Sequence, residues 1–244
     1  MPNGRLFLYA AIALVLTVSP TLAQDVSITL DNDGSLATRS IQLLVLITLL
    51  SIVPGLAIMI TCFPFMVTVL SILRQGIGLQ QSPPNMLIVS LALFLTYFVM
   101  EPVFIAAWDA GVQPLLNEAM PLEQAFTKIM EPFRLFMSGR IVPETFEELA
   151  SLRPGMESNQ PIETSPLSVL IPSFLLSEIE RAFQIGFLVF LPFLVIDLVV
   201  AAVLMSMGMM MVPPAIVSLP FKLAFFVVAD GWSLIAGSLV RSYF

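Results

Sequence analysis

The chain has 244 residues, of which 58% are hydrophobic and 11% charged, and its mean hydropathy is +0.97. A soluble domain has roughly 45–50% apolar and about 25% charged residues, so this composition predicts a membrane protein. The sequence has no histidine and a single cysteine, Cys62, which excludes internal disulfides, Cys/His zinc sites and histidine-activated nucleophiles. The net charge of −7 argues against binding to nucleic acid. We therefore expect neither an enzyme nor a cofactor site.

Residues 1–23 have the pattern of a secretory signal peptide. Arg5 supplies the positive charge, an apolar stretch follows, and small residues precede a cut between Ala23 and Gln24. A retained transmembrane helix is the alternative, but the apolar run is short for crossing a bilayer. We expect cleavage after Ala23 and then a short polar N-terminal lead over residues 24–40, outside the cytoplasmic membrane.

Residues 41–108 are predicted to form a first pair of apolar helices. The uncharged stretch 41–73 is too long for one straight helix across a bilayer of about 30 Å. Because Pro54 and Pro64 interrupt this stretch, we expect a kinked or broken helix. A polar loop separates it from the second apolar segment, which ends near Trp108.

Residues 109–176 are predicted to form an acidic helical region on the periplasmic side of the membrane. From Asp109 to Arg181 the chain has eleven acidic and five basic residues. Apolar side chains recur at helical spacing within Leu122–Met137, and proline and glycine interrupt the chain after it. With an outside N-terminus, four spans place this region outside, and long loops cross the membrane regardless of their charge.

Residues 177–244 are predicted to form a second apolar hairpin. Ser177–Glu180 has the pattern of a capping box that opens its first helix. Glu178 and Arg181 lie three residues apart, so they are expected to form an ion pair at this helix start.

A methionine-rich loop joins the two arms of this hairpin. Five of the seven residues 205–211 are methionine, and the loop ends at Pro213 and Pro214. Methionine is unbranched and has a soft sulfur, so it fills irregular and changing gaps. By itself the pattern favours an ordinary packed turn over a deformable lip. Thioethers suit Cu(I), but no second soft or imidazole ligand accompanies them, so we expect no metal.

Asp197, Lys222 and Asp230 are charged residues inside the apolar segments. Each costs roughly 2.5–3.5 kcal/mol at the centre of a bilayer, so each is expected to face protein, water or another charge. We hypothesise that Asp197 or Asp230 pairs with Lys222, within one subunit or between subunits. A purely structural pair is the simpler interpretation, because buried ion pairs more often maintain geometry than perform chemistry.

Several long motifs, in the order of this sequence, resemble the FliP family, whose injectisome branch is called SctR. The resemblance covers about residues 43–244. Its motifs are Leu70-Ser71-Ile72-Leu73-Arg74-Gln75, Gly78-Leu79-Gln80-Gln81-Ser82-Pro83-Pro84-Asn85, Leu170-Ile171-Pro172-Ser173-Phe174, Pro192-Phe193-Leu194-Val195-Ile196-Asp197, Gly208-Met209-Met210-Met211-Val212-Pro213-Pro214, Ser218-Leu219-Pro220-Phe221-Lys222 and Asp230-Gly231-Trp232.

The resemblance implies an all-α membrane protein that is a core subunit of the flagellar type III export gate, in the inner membrane at the basal body. Copies of the chain, five by the family's example, would form a ring with FliQ-like and FliR-like subunits, through which unfolded flagellar subunits pass. The family's methionine loop maps onto residues that would seal the pore, with Gly208, Pro213 and Pro214 shaping the turn. The methionines are Met209, Met210 and Met211, with Met205 and Met207 close by.

Two alternatives and one departure from the family pattern stay open. An injectisome-type export gate subunit is the first alternative. The second is a small-solute secondary transporter with Asp197, Lys222 and Asp230 as a relay, for which no inverted repeat is visible. The family commonly has a Thr-Arg pair where this chain has Pro64-Phe65, so a contact made by that basic residue is in doubt.

Overall fold

The computed structural model describes residues 36–78, 83–154, 161–209 and 211–244. The predicted signal peptide with its Ala23–Gln24 cleavage site, most of the polar lead, and Met210 of the methionine loop lie outside these ranges. The described residues form helices and no strand, which confirms the predicted helical fold class.

The helices differ greatly in length, from four residues to forty. In chain order, the described ranges contain α1 (Leu36–Met59), α2 (Phe63–Ile77), α3 (Asn85–Ala107), α4 (Gln113–Leu116), α5 (Leu122–Ser138), α6 (Pro143–Ser151), α7 (Leu167–Ser206), α8 (Pro214–Val228) and α9 (Gly231–Arg241). A π-helical turn, Trp108–Val112, joins α3 to α4, and a short 3-10 turn, Ile162–Thr164, precedes α7.

The first apolar stretch is broken between α1 and α2. Pro54 stays inside α1, whereas Pro64 lies in the first turn of α2, where a missing backbone N–H costs nothing. At its other end α2 stops at Gly78, whose φ of 86° is a left-handed conformation that glycine adopts without strain. Of the two prolines expected to interrupt this stretch, Pro64 lies at the break, whereas Pro54 is accommodated within a helix.

The long helix α7 begins ten residues before the predicted capping box. Its first residue follows Pro166, and the helix continues through Pro172 and Pro192. The capping-box prediction at Ser177–Glu180 is therefore wrong, because the backbone N–H groups there already belong to a helix interior. Ser177 instead accepts a hydrogen bond from the Val142 backbone N–H at 2.9 Å.

The last apolar segment is two helices rather than one. The axes of α8 and α9 are bent by 62°. The bend lies at Asp230, which has a φ of 47° in the left-handed region, unusual for a residue with a Cβ. Helices long and apolar enough to cross a membrane, among the described residues, are Ser40–Met59, Asn85–Leu116 and Leu167–Ser206, and the bent pair α8–α9 passes the same test when taken together.

The chain divides into two compact units, residues 1–51 and 52–244. In the first, the apolar side chains described along α1 are exposed, with Ile41, Leu44 and Ile47 each about two-thirds accessible. A helix that is apolar on all sides needs lipid or protein around it.

In the second unit, α2 lies at the centre of the core. Its buried side chains Phe65, Met66, Val69, Leu70 and Leu73 pack with residues of α3, α7, α8 and α9. A second core cluster joins α5 and α6 to the first turns of α7 through Met137, Phe146 and Phe174. The acidic region is thus packed directly on the long helix.

Candidate functional site

The methionine loop leaves α7 through a left-handed glycine. Gly208 has a φ of 73°, and no atom lies within 4 Å of the position where its Cβ would be. The Met209 N–H donates to the Leu204 carbonyl at 3.0 Å, which satisfies one of the free carbonyl groups at the end of the helix. Pro213 and Pro214 then start α8, so the predicted loop-shaping residues sit where the chain turns.

The described methionine side chains of this loop are exposed to different degrees. Met211 is 98% exposed, and Met205, Met207 and Met209 are between 43% and 66% exposed. Met210 lies outside the described residues. Several exposed apolar side chains within one short loop are expensive in water and indicate a surface that contacts lipid or protein.

A cavity of about 560 Å³ opens between α7 and α8 directly beside the loop. Its walls are apolar side chains, including Val199 and Val203 of α7, Met207 and Met209 of the loop, and Val217 and Phe221 of α8. The two arms of the hairpin therefore share an apolar cavity that reaches the methionine loop.

Beside this cavity an ion pair between a buried lysine and a half-buried aspartate joins the two arms. The Lys222 ammonium lies 2.6 Å from Asp197 Oδ2, and the Ser218 hydroxyl donates to Asp197 Oδ1 at 2.5 Å. Ser218 and Lys222 are four residues apart on α8, so both face α7. The Lys222 side chain is 7% exposed and that of Asp197 is 38% exposed.

Lys222 has a second partner, which lies outside the hairpin. Its ammonium donates to the Gly76 carbonyl at 3.1 Å, near the carboxyl end of α2. Of the two carboxylates expected to pair with Lys222, Asp197 does so. Asp230 is exposed at the bend before α9. The hypothesised relay of three charges is therefore not assembled within one chain.

A second buried ion pair involves a residue predicted to pair elsewhere. Glu178 is fully buried and accepts a hydrogen bond from Arg140 Nε at 3.0 Å and another from the Tyr243 hydroxyl. The expected Glu178–Arg181 pair is wrong, because Glu178 lies within α7 on its buried face and not at an exposed helix start.

Arg140 holds the residues after α9 against the acidic helical region. Its guanidinium lies 4.0 Å from the centre of the Tyr243 ring and donates to the Ser242 carbonyl at 2.8 Å. Sequence reasoning missed Arg140, Tyr243 and the Gly76 carbonyl, because no spacing rule connects groups so far apart in the chain. Ser218 was missed as well, although its four-residue spacing from Lys222 was a signal that could have found it.

Burial shifts the pKa of two groups near this second pair. The pKa of the Tyr243 hydroxyl is raised above its ordinary range by burial and by the neighbouring Glu178 carboxylate. Burial also raises the pKa of the Cys62 thiol to about 12. Both groups are therefore protonated at neutral pH and act as donors or packing groups rather than as nucleophiles.

Comparison with known proteins decides the family. The model of the FliP family matches residues 46–239. The chain belongs to the FliP family.

Curated relatives of the FliP family cover nearly the same length. The chain is 50% identical to the flagellar biosynthetic protein FliP of Caulobacter vibrioides over 96% of this chain and 88% of that protein. It is 49% identical to the protein of that name from Agrobacterium fabrum over 86% of each chain. For the protein from Bacillus subtilis the identity is 42%, over 87% of this chain and 96% of the relative.

The FliP family match includes both ion pairs and the methionine loop, apart from Tyr243, which follows the matched residues. The resemblance stated from the sequence motifs is thereby confirmed. In the described residues no group of three or more His, Cys, Asp or Glu side chains is placed to hold a metal ion.

Proposed function

We propose that the chain is a core subunit of the flagellar type III protein export gate in the bacterial inner membrane, at the flagellar basal body. In this proposal several copies, together with FliQ-like and FliR-like subunits, form a ring-shaped channel for unfolded flagellar subunits. Membership of the FliP family and the name of its relatives, flagellar biosynthetic protein FliP, support the flagellar setting. Helices long and apolar enough to cross a membrane support the membrane setting.

The exposed methionine loop is the observation that carries the proposal. The loop lies at the end of a long apolar hairpin, and its described methionines are exposed rather than buried in the core. In a ring, one such loop from each copy would meet around the central axis. The proposal assigns the pore seal to Met209, Met210 and Met211, with Met205 and Met207 supporting it.

Methionine suits a seal that must open for side chains of every size. Each dispersion contact is worth only about 0.1–0.2 kcal/mol, so a collar of methionines is closed by many weak contacts. Three rotatable bonds let every side chain reshape around a passing polypeptide. Because the thioether is a poor hydrogen-bond partner, no polar group retains the cargo.

The test uses the purified ring complex in planar bilayers. Replacing Met209, Met210 and Met211 by alanine should raise the conductance of the closed complex while export continues in cells. Replacing the same residues by leucine should preserve the seal better than alanine does, because side-chain volume is kept.

Met86→Ala is the matched control, since Met86 is an 80% exposed methionine at the start of α3. It should leave the closed conductance unchanged. An unaltered closed conductance in the triple alanine variant would show that this loop is not the seal.

A further inference from the structure

Three helices meet at one largely buried point two to three helical turns from the methionine loop. Lys222 of α8 pairs with Asp197 of α7 at 2.6 Å and donates to the Gly76 carbonyl of α2 at 3.1 Å. Ser218 donates to the same Asp197 carboxylate. We call these four residues the Lys222 junction.

The junction lies at similar depth on both arms of the hairpin. Asp197 precedes Met207 by ten residues and Lys222 follows Pro214 by eight, which at 1.5 Å per residue is roughly 15 Å and roughly 12 Å from the loop. The apolar cavity of about 560 Å³ is lined by both arms, from Val195, Ile196 and Phe221 at the level of the junction to Met207 and Met209 at the loop. The junction is therefore a polar contact between the arms, two to three helical turns from the loop.

A contact that served stability alone would not require a charge here. Burying the Lys222 ammonium and half-burying the Asp197 carboxylate costs desolvation energy, and well-packed apolar residues often replace a buried pair without loss. The polar groups impose a direction and a register that apolar packing does not. Lys222 must point at Asp197 and at the Gly76 carbonyl together, which fixes how far α8 is shifted along α7 and how it is rotated.

The carbonyl of Gly76 ties this register to the core. It lies in the last turn of α2, where free carbonyls and the helix dipole attract a cation. The neighbouring Gly78 is so close that an added Cβ would lie 3.7 Å from the Lys222 ammonium. Because α2 is the centre of the core, it serves as a fixed support for the hairpin arms.

We propose that the Lys222 junction is a positioning site for the methionine loop, setting how far its side chains project into the pore. This inference rests on the proposed function. It assigns to Asp197, Ser218 and Lys222 an effect on the seal that is exerted through the loop, without contact with the cargo.

The test measures closed conductance of the ring complex with single and combined variants. Lys222→Gln and Ser218→Ala should each raise the closed conductance, with roughly a tenfold effect for Lys222→Gln, within the range of ordinary coupling between sites. Ser218→Ala removes one hydrogen bond and keeps the ion pair, so it provides a milder variant if Lys222→Gln fails to assemble. Asp230→Asn is the matched control and should have no effect, because Asp230 is exposed at the bend.

The decisive comparison combines Lys222→Gln, or Ser218→Ala, with alanine at Met209, Met210 and Met211. If the junction acts through the loop, neither variant raises the conductance further once the methionines are absent. An additive effect, or a junction variant that leaves the seal intact in an otherwise normal complex, would overturn the inference. If the triple alanine variant itself does not leak, the proposed function fails instead, so the two failures are distinguishable.

Discussion

Arg140 and Glu178 form an ion pair at 3.0 Å although 38 residues separate them in the chain. Glu178 is fully buried, and Arg140 is 14% exposed. The pair joins the turn after α5 to the interior of α7, and through Tyr243 it also holds the residues after α9. One buried carboxylate thus organises three separate parts of the chain.

Removing one partner of this pair should destabilise the protein strongly. Glu178→Leu leaves the Arg140 guanidinium largely buried without its carboxylate, which costs about 3–5 kcal/mol. Thermal unfolding of the purified complex should show a lower midpoint for Glu178→Leu and for Arg140→Leu. The double variant should lose less than the sum of the two, and strictly additive losses would contradict direct coupling.

Tyr243→Phe should separate the hydrogen bond from the packing of the ring. The phenyl ring keeps its contacts with Phe65 and Phe136, so only the bond to the Glu178 carboxylate is lost. Hydrogen bonds to charged groups contribute about 1.5–3 kcal/mol. Tyr243→Ala should cost more because the ring contacts disappear as well. Equal unfolding midpoints for the two variants would contradict this.

Cys62 should react slowly with alkylating reagents, and the rate should reveal its raised pKa. Its folded pKa is about 12 against 9.0 for a free thiol, so the neutral thiol is favoured in the fold. The contribution of this neutral thiol to the free energy of unfolding is fully present below pH 9 and is lost as the pH rises towards 12. At pH 9 a free cysteine is half ionised, whereas the thiolate fraction of Cys62 is roughly 500-fold lower.

Because Cys62 is the single cysteine of the chain, mass spectrometry of the alkylated protein reports it directly. The same chain in denaturant is the control and should label at the rate of a free thiol. Rapid labelling of the folded complex at pH 8 would show that Cys62 is accessible.

Gly186 should tolerate no side chain, because α2 and α7 approach closely there. A Cβ at this position would lie 2.4 Å from Ile72 Cδ1, and forcing extra atoms into a packed core costs typically about 1–3 kcal/mol. Ile72→Val removes that atom, so it should recover part of the stability lost in Gly186→Ala. Unfolding midpoints of the single and double variants measure this recovery.

Gly55 provides the matched control for that substitution. It lies inside α1, and no atom is within 4 Å of its would-be Cβ. Gly55→Ala should therefore be neutral or slightly stabilising, since alanine is the better helix former by about 1 kcal/mol. A loss of stability in Gly55→Ala as large as that in Gly186→Ala would show that the effect is not a packing clash.

Regular patterns in the sequence were enough to predict several elements. The uncharged stretch 41–73 was expected to be interrupted, and the helix break lies at residues 60–62. The apolar segment before Trp108 was expected to be helical, and α3 runs from Asn85 to Ala107. Hydropathy and proline positions are local properties, and local properties decide helix type and interruptions.

Sequence motifs gave wrong predictions where the same motif is compatible with more than one local structure. Ser177–Glu180 fits a capping box, but Pro166 had already started α7. Glu178 and Arg181 have the spacing of an exposed pair, but that face of α7 is covered by the residues after α9. A motif states what residues can do with their neighbours in the chain, and burial by a distant segment changes the outcome.

By itself, the sequence determined that this is a helical membrane protein of the FliP family with a methionine loop between two apolar arms. Composition and ordered motifs are sufficient for that, because they depend on the order of residues and on no distance in space. Only the tertiary structure decided that Lys222 pairs with Asp197 and donates to the Gly76 carbonyl. It also decided that Glu178 pairs with Arg140 and accepts a hydrogen bond from Tyr243. A buried charge pairs with whichever partner the packing of distant helices brings within about 3 Å, and no spacing in the chain encodes that distance.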